Sequence, residues 1–172
     1  MSFKAYNRFL DTTGDGTGTK NAIGNYSSSA EEFLLTPGGT VLGEQEIIQV
    51  NQLNIFIKTT NESDAKGYGS DTELTNGITL LWRRKGVTFH NLTDSVPIKT
   101  AVSWLRYSDY DIVRELVPKG HVYKVIIKFE TFGQPPVLMN RYSDSLVVQL
   151  NDDFSHLTEH YFLARGIYRG DI

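Results

Sequence analysis

The residues that come nearest to a reactive constellation are His156-Leu-Thr-Glu-His160, which match the H-x-x-E-H string of inverted zinc peptidases. That chemistry needs both histidines one helical turn apart, so that they converge on one metal ion. The flanking residues are instead aromatic and branched, which reads as strand, and on a strand four residues span ~13 Å. One zinc cannot bridge that distance, so the expectation is two histidines on a surface strand and no metal. Asp11-Thr-Thr-Gly-Asp-Gly16 imitates the first half of an EF-hand loop, but position twelve is Ala22 and no helices flank it. Gly14-Asp-Gly-Thr-Gly18 lacks the strand and helix of a phosphate cradle, and Lys20 is not followed by Ser or Thr. There is no Gly-x-Ser-x-Gly elbow to expose a nucleophile. The sequence does not join His90 or His121 to a serine and an aspartate. Asp152 and Asp153 fall in a turn, where carboxylates cap and solubilise. These patterns argue against an enzyme and against a bound cofactor or metal.

The composition bounds the alternatives. At 172 residues, with 40% apolar and 22% charged residues, the chain suits one soluble domain. The net charge of −3 gives no electrostatic reason to bind nucleic acid or an anionic membrane. No apolar run approaches the ~20 residues of a membrane-spanning helix. The first residues carry no apolar stretch of the secretory kind. Cysteine is absent, which fits folding in a reducing cytoplasm and excludes thiolate metal sites.

The elements that must carry any site are strands. Residues 45–59 alternate in the period-two manner of a half-buried strand, and the apolar face switches near Gln52, predicting a bulge or corner there. Residues 121–130 are rich in β-branched and aromatic side chains. Further strands are expected over 31–36, 87–91, 145–150 and 157–168, with Asn76-Gly77 and Lys85-Gly86 as turns. Gly133-Gln-Pro-Pro136 interrupts pairing, and only 97–105 and 110–116 could pass for short helices. Eight or nine short strands at this spacing predict an all-β antiparallel β-sandwich, jelly-roll-like, over residues 31–172. Its core would be built on 47–57, 80–82, 122–129 and 146–150. Residues 1–30 are dominated by Gly, Thr, Ser, Asn and Asp after the first ten, and they predict an extended N-terminal arm ordered by a neighbouring subunit.

Surface contacts are the remaining source of function. Residues 61–72 form a polar loop long enough to be an interaction loop. Trp82-Arg83-Arg84-Lys85 is the one basic cluster, either the exposed end of a hairpin or a bridge to an acidic neighbour. The aromatics at 89, 104, 107, 110, 129, 132, 142, 154, 161, 162 and 168 are too many for one small core, so some must line the surface.

The blocks Asp15-Gly-Thr-Gly-Thr-Lys-Asn-Ala-Ile-Gly24, Glu32-Phe-Leu-Leu-Thr-Pro37, Glu46-Ile-Ile-Gln-Val-Asn-Gln-Leu-Asn-Ile55 and Leu74-Thr-Asn-Gly-Ile78 resemble small virion structural proteins of tailed bacteriophages, as does the terminal strand. Among these the chain is most similar to capsid decoration, or cement, proteins. The resemblance implies a β-sandwich without enzymatic activity or cofactor, often a homotrimer. It implies synthesis in the host cytoplasm and residence on the capsid surface, with the major capsid protein and other virion subunits as partners. The contact residues expected on this reading are Asp15, Thr17, Lys20 and Tyr26 in the arm, Tyr68 in the polar loop, Arg83 and Arg84, and the aromatics Trp104 and Tyr107. A tail, neck or fibre-associated role is the near alternative. A carbohydrate-binding module using Trp104 or Tyr107 is the more distant one.

Overall fold

The computed structural model describes residues 3–13, 21–37, 47–60, 74–92, 109–117, 120–128, 137–140 and 143–171. Every regular element among them is a strand: β1 (Phe3–Asp11), β2 (Glu31–Pro37), β3 (Ile47–Thr59), β4 (Ile78–Arg84), β5 (Val87–Asn91), β6 (Asp109–Val117), β7 (Gly120–Lys128), β8 (Val137–Asn140), β9 (Asp144–Leu150) and β10 (Glu159–Asp171). Nine of them follow one another as β5-β4-β9-β2-β1-β10-β3-β7-β6, and β8 joins the side of β3. All pairings are antiparallel, and the path does not close on itself.

The path bends where β2 changes partners. Residues 31–35 pair with β9, whereas only Thr36 and Pro37 reach β1. The two halves, β5-β4-β9-β2 and β1-β10-β3-β7-β6, are therefore joined by a short seam and share one core. Phe33, Leu35, Ile78, Leu80, Leu146, Val148 and Leu150 come from the first half. Leu10, Ile48, Val50, Leu53, Ile55, Ile57, Phe162 and Ala164 come from the second. Phe33 and Phe162 meet with ring centroids 6.0 Å apart, which stitches the halves into a sandwich-like body.

The face switch expected in β3 is a bulge at Asn51. Arg165 pairs with Gln52 and Gly166 with Val50, so Asn51 has no opposite number in β10. Before it Ile48 and Val50 are buried, and after it Leu53, Ile55 and Ile57, as an inserted residue in a period-two strand requires. Gly166 makes the bulge possible: a Cβ there would stand 2.5 Å from the Gln49 carbonyl oxygen. Gly166→Ala is expected to force β3 and β10 apart and cost about 2 kcal/mol, read as a lower urea midpoint.

Three expectations are corrected by the strands. Residues 110–116 lie within β6, paired with β7 at nine successive positions; long-range pairing decides the conformation of a sequence that is locally ambiguous. Residues 3–11, placed in the arm, form β1 and pair with β10 from Phe3↔Asp171 to Leu10↔Ala164. Residues 21–26 are also held by the chain's own domain. Ala22 donates its N–H to the His160 carbonyl (2.6 Å), Phe154 donates to Gly24 (2.7 Å), and Tyr26 donates to Asp152 (2.9 Å). Ala22 is itself part of the core. Residues 3–11 and 21–26 thus dock on the domain through backbone pairing. Truncating residues 1–25 would remove a strand of the sheet. The possible helix at 97–105, the polar loop at 61–72 and the turn at 133–136 lie outside the described residues.

Candidate functional site

The most developed polar cluster sits at the end of the core where the chain passes from β8 to β9. Asp144 and Arg84 are register partners on adjacent strands. Arg84 Nε donates to Asp144 Oδ1 (2.9 Å) and its Nη2 to Oδ2 (3.1 Å). Trp82 Nε1 (3.1 Å), the Asn140 N–H (2.9 Å) and Ser143 Oγ (2.9 Å) donate to the same carboxylate. The Asp144 side chain is fully buried. Burial pushes its pKa up, but the Arg84 guanidinium and these further donors outweigh that and hold it below the usual carboxylate value. A carboxylate so fully engaged is a structural hub, tying β4, β8 and β9 at one point, rather than a proton carrier.

Beside this hub lies an open depression of about 460 Å³, lined by Ile47, Arg84, Leu138, Asn140 and Ser143. Ile47 and Leu138 are both 43% exposed, which is high for large aliphatic side chains on adjacent paired strands. The depression therefore combines an apolar wall from β3 and β8 with a guanidinium from β4.

Arg83 points the other way, to the outer face. The register aligns Leu34, Val147 and Leu81 in one row across β2, β9 and β4. Arg83 lies one row to one side, and Glu32 with Gln149 one row to the other. The bidentate Arg83–Glu32 pair therefore crosses the apolar row diagonally, joined by Gln149 Nε2 at 3.3 Å from Glu32 Oε1. This explains why Val147, an outward residue, has no exposed surface while Leu34 at the end of the row is 45% exposed. The Arg83 hydrogen bond lowers the Glu32 pKa against the opposing effect of burial. Sequence placed both arginines at the end of a hairpin, and they are: Lys85 (φ 51°) and Gly86 (φ 76°) turn β4 into β5. Both guanidiniums make an ion pair within the domain, Arg83 with Glu32 and Arg84 with Asp144, and the Arg84 side chain stays 42% exposed.

The two histidines of the peptidase-like string do not act together. His156 lies in the exposed turn before β10, while His160 is wholly buried, which corrects the expectation of a surface-strand pair. The His160 ring stacks on Phe154 (4.8 Å between centroids) and meets Phe162 edge-on (4.9 Å). Its backbone N–H donates to Asn21 Oδ1 (3.0 Å). Desolvation lowers its pKa to about 3, so the imidazole is neutral in the folded chain. Among the described residues no group of three or more histidine and carboxylate side chains is arranged to hold a metal ion. Asp11, first residue of the EF-hand-like string, is buried and accepts from the backbone N–H and hydroxyl of Thr13 (both 3.1 Å), a local Asx turn.

Of the other contact residues expected from sequence, Tyr26 is half-buried and packs edge-on against Phe33 at 6.2 Å, a role in the domain itself. Asp15, Thr17, Lys20, Tyr68, Trp104 and Tyr107 lie outside the described residues. Phe154 and Phe162, counted among the surplus aromatics, are core residues. Tyr161 stacks on Phe56 (4.4 Å), and the Lys124 ammonium lies over the same ring (5.5 Å), forming a row across β10, β3 and β7. Sequence reasoning missed Ile47, Leu138 and Asp144. Ile47 reads as an ordinary strand position, Leu138 lies in β8, a strand the sequence did not announce, and only the cross-strand register reveals them as neighbours.

No protein-family model matches the chain, and neither curated proteins nor solved structures match it. The class that the fold itself defines is an all-β, open antiparallel sheet folded into a sandwich-like body.

Proposed function

We propose that the chain is a non-enzymatic structural protein of a phage virion, a homo-oligomeric decoration protein that stabilises the head by binding the major capsid protein lattice. The observation that carries this reading is the exposed apolar pair Ile47 and Leu138 beside Arg84, at a corner stiffened by the buried Asp144 hub. Rigid, partly apolar corners suit permanent contacts, because little conformational entropy is lost when they are covered. The sequence resemblance to virion proteins supplies the biological setting. On this reading the depression is covered by an adjacent copy of the chain, and other surfaces face the capsid.

Native mass spectrometry of the purified protein tests the assembly. The expected species is a trimer, and Leu138→Asp is expected to yield monomer with an unchanged circular dichroism spectrum. A wild-type monomer at all concentrations, or a Leu138→Asp oligomer identical to wild type, would reject the role of this surface. Antibody labelling of purified particles then distinguishes head from tail; absence from particles would reject the virion role.

A further inference from the structure

We infer that Asn76-Gly77 is a latent deamidation site which the fold holds shut, with Asp152 as the lock. Asparagine followed by glycine is chemically fragile in flexible chains. The glycine backbone nitrogen loses its proton and attacks the asparagine side-chain Cγ, expelling ammonia and closing a succinimide. Water then opens the ring to aspartate or isoaspartate. This chain has one Asn-Gly step. It sits at an exposed turn immediately before β4, where Gly77 takes a positive φ of 84°.

The structure obstructs both partners of that reaction. The nucleophile is the Gly77 nitrogen, and its N–H donates to Asp152 Oδ2 at 2.6 Å in a buried position. A carboxylate at that distance opposes deprotonation, since a second negative charge would form beside the first. The electrophile is the Asn76 amide, whose Nδ2 donates to the Asn151 carbonyl at 2.8 Å. Asn151 Nδ2 in turn donates to the Gly77 carbonyl at 3.1 Å, fixing the peptide plane. The Thr75 and Asn76 N–H groups also donate to Asp152, so the carboxylate grips three successive amides. Attack therefore requires the turn to leave Asp152, a local opening of the domain.

Opening would be self-reinforcing. Conversion of Asn76 replaces the Nδ2 donor with a carboxylate facing the Asn151 carbonyl. The Nδ2 bond to the Asn151 carbonyl is then lost, and the new carboxylate faces an acceptor in its place, which weakens the closed turn.

The test is incubation at mildly alkaline pH followed by peptide mapping for amide-to-acid conversion and isoaspartate at position 76. The native protein is expected to react at least about tenfold more slowly than the same chain in urea, because the closed turn must first open. Asp152→Asn, which removes the charge, is expected to react several-fold faster than wild type while still folded. Equal rates for native and urea-unfolded wild type would overturn the proposal, as would a folded Asp152→Asn with the wild-type rate. Should that variant not fold, the native-to-unfolded ratio of the wild type decides.

Discussion

Lowering the pH from about 6.5 to about 4 is expected to destabilise the protein by about 1.4 kcal/mol per pH unit, with His160 as the source. The imidazole is wholly buried between Phe154 and Phe162, and desolvation takes its pKa from 6.5 down to about 3. Between those values the unfolded chain binds a proton that the folded chain refuses. The unfolded state thus carries more protons, and stability rises with pH across the window. The contribution is complete above about pH 6.5 and is lost progressively towards the folded pKa. Glu32, Asp144 and Asp153 have lowered pKa values and also contribute stability that acid removes, but their loss begins lower, near the ordinary carboxylate range. Urea titrations at several pH values separate the two groups. The slope above about pH 4.5 should flatten in His160→Leu, which keeps an apolar filling and the backbone bonds to Asn21 and Ala22. A wild type equally stable at both ends of this window would contradict the burial of a neutral imidazole.

Removing the Asp152 carboxylate should be about as damaging. Asp152→Ala is expected to cost about 3 kcal/mol or more, because it strands the N–H groups of Thr75, Asn76 and Gly77, the last of them buried. These bonds join the start of β4 to the loop after β9, so the loss should appear first as accelerated hydrogen exchange in residues 75–80. Asp152→Asn keeps one acceptor oxygen and should fall between wild type and alanine. If alanine left both the urea midpoint and exchange at residues 75–80 unchanged, Asp152 could not be the anchor of that turn.

Local chemistry was enough for some of these features. The alternation of 45–59 announced β3, and the displaced apolar face near Gln52 announced its bulge, because in a period-two strand only an inserted residue can move a face. Asn76-Gly77 and Lys85-Gly86 announced turns, since each supplies a glycine that takes positive φ without steric cost. The strands of 121–128 and 145–150 followed from β-branched residues in the same way. β1 was hidden because its partner in β10 lies at the far end of the chain, and its own residues carry no dominant periodicity.

Composition and periodicity by themselves determined an all-β antiparallel protein, because alternation and turn residues act over a few positions. Only the tertiary structure decided which side chains face each other. It put His160 in the core rather than on the surface, spent Arg83 on Glu32 and Arg84 on Asp144, and brought Ile47 beside Leu138. The reason is physical: desolvation and cross-strand neighbours set the character of a polar group, and both come from residues distant in the chain.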